Sequence, residues 1–380
     1  MLDTGIKKGD AHMRELAARI CRDYLHGAWK NVTSEDIGFK HISGGLSNLL
    51  YHISLPTELY DSYEDDKKHD AQEPKEVLIR IYGQTHGEGA LEALITESVI
   101  FTLLSERGLG PKLHGIFPGG RIEEYINARP LLTSELADEK LSAKIAQKMA
   151  SLHSMEVPLH KEPGWLWNTI DRWLKTCEKK LKGDIPGFVT DLLDGIDLRG
   201  ETKWLKQRLE QENSPVVFCH NDMQEGNILI SMDQDKENNP NDPELVIIDF
   251  EYCSYNYRGF DIANHFIEWV YNCKEENYPY YREDWSNYPT EQQRLNFIRT
   301  YLIERGSREN AKKVLKEVEV FTLASHFFWA LWGFINAETS QIPFGYWEYG
   351  CSRLSAYFQL KERLSCNMQI KRKVECLSLD

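Results

Sequence analysis

The chain has 380 residues and a formal net charge of −14, from 59 acidic and 45 basic side chains. Its length fits one large fold or two lobes that share an interface. The acidic balance argues against a nucleic-acid-binding protein and a membrane-surface protein, because both usually carry a basic patch, and it favours a cationic ligand. The eight cysteines include no CxxC pair, which indicates reduced thiols.

The first ten residues, MLDTGIKKGD, contain no apolar leader. We find no run approaching the roughly 18 apolar residues that span a bilayer. We therefore expect a cytoplasmic protein that does not insert into a membrane.

The first elements alternate apolar and polar residues, which is typical of half-buried strands. LLYHISL (49–55) and VLIRIY (77–82) each predict one strand, and Arg80 lies on the face opposite Val77. The charged segment 56–75 between them predicts an exposed hairpin loop.

A helix is predicted to follow over roughly 88–107, and RIEEYI (121–126) predicts another short strand. The apolar positions at helical spacing in that helix are Leu91, Leu94, Ile95 and Val99.

After Pro130 the pattern becomes helical. A clear apolar stripe there consists of Leu141, Ile145, Met149 and Leu152. The change predicts an α+β fold of two lobes, with a small strand-rich lobe over 1–126 and a larger, mainly helical lobe over 127–380.

The segment HNDMQEGN (220–227) is a polar stretch between two short apolar runs of strand type, 216–219 and 228–230. It is therefore predicted to be a loop between strands. Asp222 and Asn227 lie five positions apart in it. An Asp and an Asn in a turn often serve only as local backbone caps. The octet alone is therefore compatible with a purely structural turn and with a catalytic loop.

A second carboxylate favours the chemical interpretation. Asp249 ends the apolar run LVII, and the turn-rich segment 231–244 predicts a hairpin that brings Asp222, Asn227 and Asp249 to one end. Asp222 can accept a hydroxyl proton, while an amide oxygen and a carboxylate are ligands that suit Mg²⁺ on a nucleotide. The order H-x-D-x₄-N followed by D-F is the kinase arrangement. His220 is expected to orient the loop.

Upstream features match what a kinase needs around phosphates. A Gly-rich segment lets the backbone approach an anion closely, although a Gly pair can also be a simple turn. Arg80 can bond to phosphate or be only an edge residue, and Glu97 on the following helix is expected to pair with it. The Gly-rich segment consists of Ser43, Gly44, Gly45, Leu46, Ser47 and Asn48.

Three longer segments carry a closer resemblance: HNDMQEGNILI (220–230), IIDFEYCSYNYRGFDIANHFIEW (247–269) and FGYWEY (344–349). They resemble signature segments of the choline kinases, within the choline/ethanolamine kinase family, in order from about residue 37 to 360. Arg80 in place of the protein-kinase Lys, and D-F-E in place of D-F-G, agree with this resemblance.

The resemblance implies a eukaryotic protein-kinase-like fold and transfer of the ATP γ-phosphoryl group to choline, the first step of phosphatidylcholine synthesis by the CDP-choline route. It also implies a homodimer. Asp222 would be the base, Arg80 would contact phosphate, and Mg²⁺ would be bound by Asn227, Asp249 and Glu251. The residues bordering adenine would be Glu124, Tyr125 and Ile126.

A quaternary ammonium group cannot donate a hydrogen bond, so ring faces and carboxylates must hold it. Trp329 and Trp332 lie on one face of a predicted helix. Aromatic residues at this spacing usually belong to a hydrophobic core. The family resemblance implies instead a choline pocket that consists of Gln224, Tyr252, Glu268, Trp329, Trp332, Phe344 and Tyr349. Asp261 is expected to anchor the catalytic loop. The resemblance also implies a further aromatic residue a few positions after Glu268, where this chain has Tyr271 and then Cys273.

Other functions remain open on the sequence. An ethanolamine kinase, or a kinase of both amines, would share the fold and the chemistry. An antibiotic phosphotransferase would share H-x-D-x₄-N but would need no ring cage. A catalytically inactive kinase fold is disfavoured because Asp222, Asn227 and Asp249 are all present.

Overall fold

The computed structural model describes residues 3–42, 48–59, 73–82, 90–232 and 244–377. The chain divides into two compact units. The first comprises Met1–Ala128 with Val246–Ile248, and the second comprises Arg129–Leu245 with Asp249–Asp380.

The first unit contains a five-stranded antiparallel sheet with the strand order β1-β2-β3-β5-β4. Its strands are β1 (Gly38–Ile42), β2 (Asn48–Ser54), β3 (Glu76–Tyr82), β4 (Leu113–Phe117) and β5 (Gly120–Glu124). The helices are α1 (Asp3–Tyr24), a 3₁₀ turn (Gly27–Asn31) and α2 (Ala90–Glu106).

The alternation in the sequence explains the core of this sheet. Ile53, Val77, Ile79 and Ile122 are fully buried and pack in one cluster that includes Trp29. Both predicted strands at 49–55 and 77–82 are confirmed, although the first has an exposed residue at its start, Leu49.

Helix α2 forms where a helix was predicted, but two of its predicted stripe positions do not face the core. Ile95 is 57% exposed and Val99 is 37% exposed. The buried side chains are instead Ile100, Phe101 and Leu104. Helical spacing alone did not identify the face that packs.

The second unit is mainly helical. Its helices are α3 (Glu139–His153), α4 (Gly164–Lys180), α5 (Gly187–Leu193), α6 (Leu198–Glu210), α7 (Arg258–Glu268), α8 (Glu291–Glu304), α9 (Ala311–Asn336) and α10 (Tyr346–Leu377). Short 3₁₀ helices span Thr133–Ala137, Glu225–Asn227 and Trp285–Asn287. The predicted stripe of α3 is buried throughout.

The remaining strands are short. They are β6 (Ala128–Pro130), β7 (Val216–Cys219), β8 (Ile228–Ser231), β9 (Leu245–Ile247), β10 (Ser254–Tyr257), β11 (Tyr271–Asn272) and β12 (Arg282–Glu283). A three-stranded sheet has the order β6-β8-β9, while β7 pairs with β10 and β11 with β12. The predicted hairpin after β8 forms, since the Ser231 amide donates to the Glu244 carbonyl at 3.1 Å. Most of the predicted loop 56–75 and of the hairpin turn lies outside the described residues.

Helix α9 forms the centre of the helical unit and packs against α4, α7, α8 and α10. It corrects the expectation that the chain has no sufficiently apolar run, because α9 is long and apolar enough to cross a membrane by composition. However, 83% of its most apolar window is buried inside the protein. The apolarity of α9 is therefore that of a core helix.

Candidate active site

Asp222 and Asn227 are in direct contact in the loop between β7 and β8. The Asn227 side-chain amide donates to the Asp222 carboxylate and to its main-chain carbonyl, both at 2.9 Å. The short 3₁₀ helix Glu225–Asn227 makes this possible by turning the chain back within five residues. Because the side-chain nitrogen of Asn227 donates to Asp222, the side-chain carbonyl oxygen is the atom that can bind a cation.

Other carboxylates lie close to Asp222. Burial raises the pKa of Asp222 well above its usual value, and the negative charges of Glu268, Asp249 and Glu251 raise it further. Asp249 and Glu251 are exposed, whereas Asp222 is partly buried. Carboxylates that repel one another in this way are stabilised by a bound cation.

Asp261 on α7 holds the backbone of the loop between β7 and β8, as the sequence predicted. The Asp261 carboxylate accepts the His220 amide at 2.9 Å and the Asn221 amide at 2.8 Å. Asn221 has a φ of 68°, which Asn tolerates better than most residues. Oδ2 of Asp261, which accepts the His220 amide, also lies 2.9 Å from Nε2 of buried His153.

His220 and Asn221 add side-chain support to the same loop. The Asp222 amide donates to Nδ1 of His220 at 3.3 Å, so His220 orients the loop in this structure. The Asn221 side chain donates to the Tyr252 carbonyl at 2.9 Å and accepts from Asn256 at 2.8 Å. Asp222 is therefore presented by a backbone with several fixed points.

The predicted pocket rings form one contiguous cluster. Ring centroids are 6.0 Å apart for Tyr252 and Trp329, 5.5 Å for Trp329 and Trp332, and 6.0 Å for Trp332 and Tyr349. Phe344 lies 5.5 Å from Tyr349. Trp329 and Tyr349 are buried, while the other three rings are partly exposed.

Tyr252 joins the ring cluster to the acidic group. Burial together with the charges of Glu251, Asp222 and Asp249 raises the pKa of its hydroxyl. A small cation at these rings would therefore also be near carboxylates.

Glu268 and Gln224 are the other two residues of the predicted pocket. Glu268 ends α7 and is buried, which raises its pKa to about 7, while the charge of Arg353 acts in the opposite direction. The Gln224 side-chain oxygen accepts the Gly226 amide at 3.1 Å and so caps the 3₁₀ helix that carries Asn227.

In the first unit, Arg80 pairs with a residue that the sequence analysis did not identify. Its Nε donates to Glu123 at 2.6 Å. The predicted pair of Arg80 with Glu97 is wrong, because Glu97 instead accepts from Arg121 at 2.7 Å.

The register of the sheet explains this correction. Arg80 on β3 lies directly opposite Arg121 on β5, and like charges facing each other in a sheet destabilise it. Glu123 offsets the repulsion because it accepts from both guanidinium groups. Arg121 also packs over the Phe101 ring at 4.1 Å. The sequence signal for this pair was the alternation in RIEEYI, which places Arg121 and Glu123 on the same face of the strand.

The other predicted nucleotide-binding residues are only partly described. Residues 43–47, the Gly-rich segment except Asn48, lie outside the described residues, and Asn48 opens β2. Glu124 ends β5, and Ile126 is partly exposed. The Tyr125 ring stacks on His52 with centroids 3.7 Å apart.

Comparisons with known proteins identify the family of this chain. The family model for choline/ethanolamine kinase matches residues 39–358. A human choline/ethanolamine kinase is 47% identical over 94% of this chain and 88% of its own length. Choline kinase A2 of Caenorhabditis elegans is 41% identical over 93% and 86% of the two chains.

A solved structure extends the likeness to the fold. The choline kinase of Cryptosporidium parvum has a TM-score of 0.72 and 29% identity, covering 93% of this chain and 96% of its own. The prediction of a two-lobed, protein-kinase-like fold with a small β-sheet lobe and a helical lobe is thereby confirmed. The chain belongs to the choline/ethanolamine kinase family.

Proposed function

We propose that the chain transfers the γ-phosphoryl group of ATP to the hydroxyl of choline, giving phosphocholine. As a member of its family, it is a phosphotransferase that acts on an alcohol group. The observation that carries the proposal is the position of Asp222, which contacts Asn227 and is near both exposed carboxylates and the ring cluster.

Asp222 acts as the general base in this proposal. Its raised pKa makes it a stronger base than an ordinary carboxylate, and ionised Asp222 can accept the proton of the choline hydroxyl. The hydrogen bond from Asn227 fixes one carboxylate oxygen. The anchor through Asp261 keeps the loop backbone in place during the reaction.

The residues proposed for magnesium fit that ion. Asp249 and Glu251 offer exposed carboxylates, and Asn227 offers an amide oxygen, which are the hard oxygen ligands that Mg²⁺ prefers. Bound Mg²⁺ would neutralise charge on the nucleotide phosphates. Arg80 is proposed to contact a phosphate, and Glu123, which accepts from its Nε, orients its guanidinium.

The ring cluster supports a quaternary ammonium substrate. Trp332 and Phe344 are partly exposed next to buried Trp329 and Tyr349, so ring surface remains accessible. Glu268 supplies a carboxylate for the positive charge once it is ionised.

Phosphorylation of ethanolamine is the second candidate activity. A primary ammonium group needs hydrogen-bond acceptors, and the buried carboxylate of Glu268 is one. The human relative is named a choline/ethanolamine kinase, which covers both amines. The CDP-choline route and the homodimer remain proposals that rest on the family resemblance, and the cytoplasmic location remains a proposal from the sequence.

The test is an ATP-dependent phosphorylation assay with choline and with ethanolamine. We expect kcat/KM to be higher for choline, and Trp332→Ala to lower kcat/KM for choline by about 2- to 30-fold, the range of one cation–π contact, with a smaller loss for ethanolamine. The control is Trp285→Ala, which removes another Trp of the same unit, 45% exposed and outside the ring cluster. Equal losses for the two amines, or no phosphorylation of choline, would contradict the proposal.

A further inference from the structure

A chain of buried polar side chains lies beneath the ring cluster. Nε1 of Trp329 donates to the Asn264 side-chain oxygen at 2.7 Å, and the Ser325 hydroxyl donates to the same oxygen at 2.8 Å. Nη2 of Arg353 donates to the Ser325 hydroxyl at 3.0 Å. Three helices, α7, α9 and α10, each contribute to this chain. Asn264, Ser325 and Arg353 are fully buried.

Arg353 also contacts the proposed amine-binding groups. Its Nη1 lies 3.5 Å from the Glu268 carboxylate. Its guanidinium carbon lies 5.5 Å from the centre of the Tyr349 ring and 4.7 Å from that of Tyr271. One buried side chain thus touches a carboxylate and a ring of the pocket, and reaches a second ring, Trp329, through two hydrogen-bonded neighbours.

A buried Arg is an unexpected choice beside a pocket for a cation. Its charge repels the ammonium group, and removing it from water is costly. Any benefit of Arg353 to amine binding must therefore come from its effect on Glu268. Burial and the charge of Glu225 oppose ionisation of Glu268, and Arg353 favours it. The titratable or charged groups that interact with Glu268 are Arg353, Glu225, Asp222, Tyr271, Tyr349 and Cys273.

We propose that Arg353 is a positioning residue of the amine site. Its guanidinium holds the Glu268 carboxylate and the Tyr349 ring where they meet an ammonium group, and it aligns the Trp329 indole through Ser325 and Asn264. The inference rests on the proposed function, because it concerns how the same site binds an amino alcohol. It adds the prediction that amine affinity depends on a side chain that does not contact the substrate.

Binding rather than turnover tests this inference. We would titrate choline, and separately ADP, into the full-length protein and the variant Arg353→Gln by calorimetry at pH 7 and pH 9. We expect the Kd for choline to rise about fivefold at pH 7, which corresponds to a pKa change of about one unit at Glu268 from its value of about 7. Part of the affinity should return at pH 9, where Glu268 ionises without Arg353, and the Kd for ADP should not change.

A merely structural role for Arg353 would give a different result. A loss of choline affinity that is the same at both pH values, or an equal loss of ADP affinity, would overturn the inference. Unchanged choline binding by Arg353→Gln would overturn it as well, while leaving the proposed function intact. If the wild-type protein does not bind choline, the proposed function fails and the inference fails with it.

A second variant keeps the test decisive if Arg353→Gln does not fold. Ser325→Ala removes the link between Arg353 and Asn264 and leaves the charge in place. We expect the Kd for choline to rise about threefold, a factor at the lower end of what losing the two hydrogen bonds of that hydroxyl can cost. Thr322→Ala is the matched control, because Thr322 is also buried on α9 and its hydroxyl donates to the Val318 carbonyl. A Kd for Ser325→Ala equal to that of Thr322→Ala would overturn the inference.

Discussion

At the scale of single residues, the site depends on carboxylates placed in different surroundings. Asp222 is partly buried and receives the Asn227 amide, while Asp249 and Glu251 are exposed. Glu268 is buried at the end of α7. Burial favours a proton on a carboxylate, and exposure favours the charge that a metal ion needs. Carboxylates can therefore serve three proposed tasks here, which are proton acceptance by Asp222, metal binding by Asp249 and Glu251, and amine binding by Glu268.

Glu268 makes a pH dependence predictable. Choline has a fixed charge, so any change of its KM with pH reports groups of the protein. With a pKa of about 7, Glu268 is mostly protonated at pH 6 and mostly ionised at pH 8, so we expect the KM for choline to fall up to about tenfold between these values. Steady-state kinetics at saturating ATP would measure this.

The variant Glu268→Gln is the control for that pH dependence. A glutamine does not titrate, so its KM for choline should be high and should not change between pH 6 and pH 8. The same fall in KM in Glu268→Gln as in the wild type would assign the titration to another group and contradict this account.

At the scale of elements, α9 and α10 set the spacing of the rings. Trp329 and Trp332 lie on α9, and Tyr349 lies on α10. The two helices cross closely at Gly333 and Gly350. A Cβ added to Gly333 would lie 2.9 Å from the Gly350 nitrogen and 2.9 Å from the Tyr346 carbonyl oxygen. Backbone atoms cannot move aside as a flexible side chain can.

We therefore expect Gly333→Ala to separate the two helices. The free energy of unfolding should fall by about 1–3 kcal/mol, as for other overpacked sites, and the KM for choline should rise because the rings move apart. Urea denaturation and kinetics would measure the two effects. Gly187→Ala is the control, because a Cβ there meets no atom within 4 Å. Equal stability and equal KM in the two variants would show that the close crossing is unimportant.

The elements also show what the sequence could predict. Period-two alternation identified β2 and β3, and the stripe of α3 is buried as expected. The error over Glu97 has a clear origin. Its true partner, Arg121, is known only once β5 is aligned against β3, and register is a tertiary property that local patterns do not contain.

The same limit applies to the buried polar chain. Ser325 lies in an otherwise apolar helix, and its contact with Arg353 spans 28 positions of sequence. A polar residue in an apolar helix indicates that a partner exists but does not say which one. The loop between β7 and β8 was more predictable, because the short spacing from Asp222 to Asn227 favours a local contact.

At the scale of the whole molecule, each unit carries a different part of the proposed reaction. The sheet unit holds Arg80 in an ion-pair network with Glu123, and the helical unit holds Asp222, the exposed carboxylates and the rings. The family match covers residues 39–358 and therefore includes both units.

The central claim is that Asp222 accepts the proton of the choline hydroxyl. Its most direct test is the kcat of Asp222→Asn, which keeps the shape of the side chain but removes the base. We expect kcat to fall by about 10²- to 10⁴-fold, the usual contribution of a general base, while the melting temperature and the Kd values for choline and ATP stay close to those of the wild type. A kcat equal to that of the wild type would contradict the account.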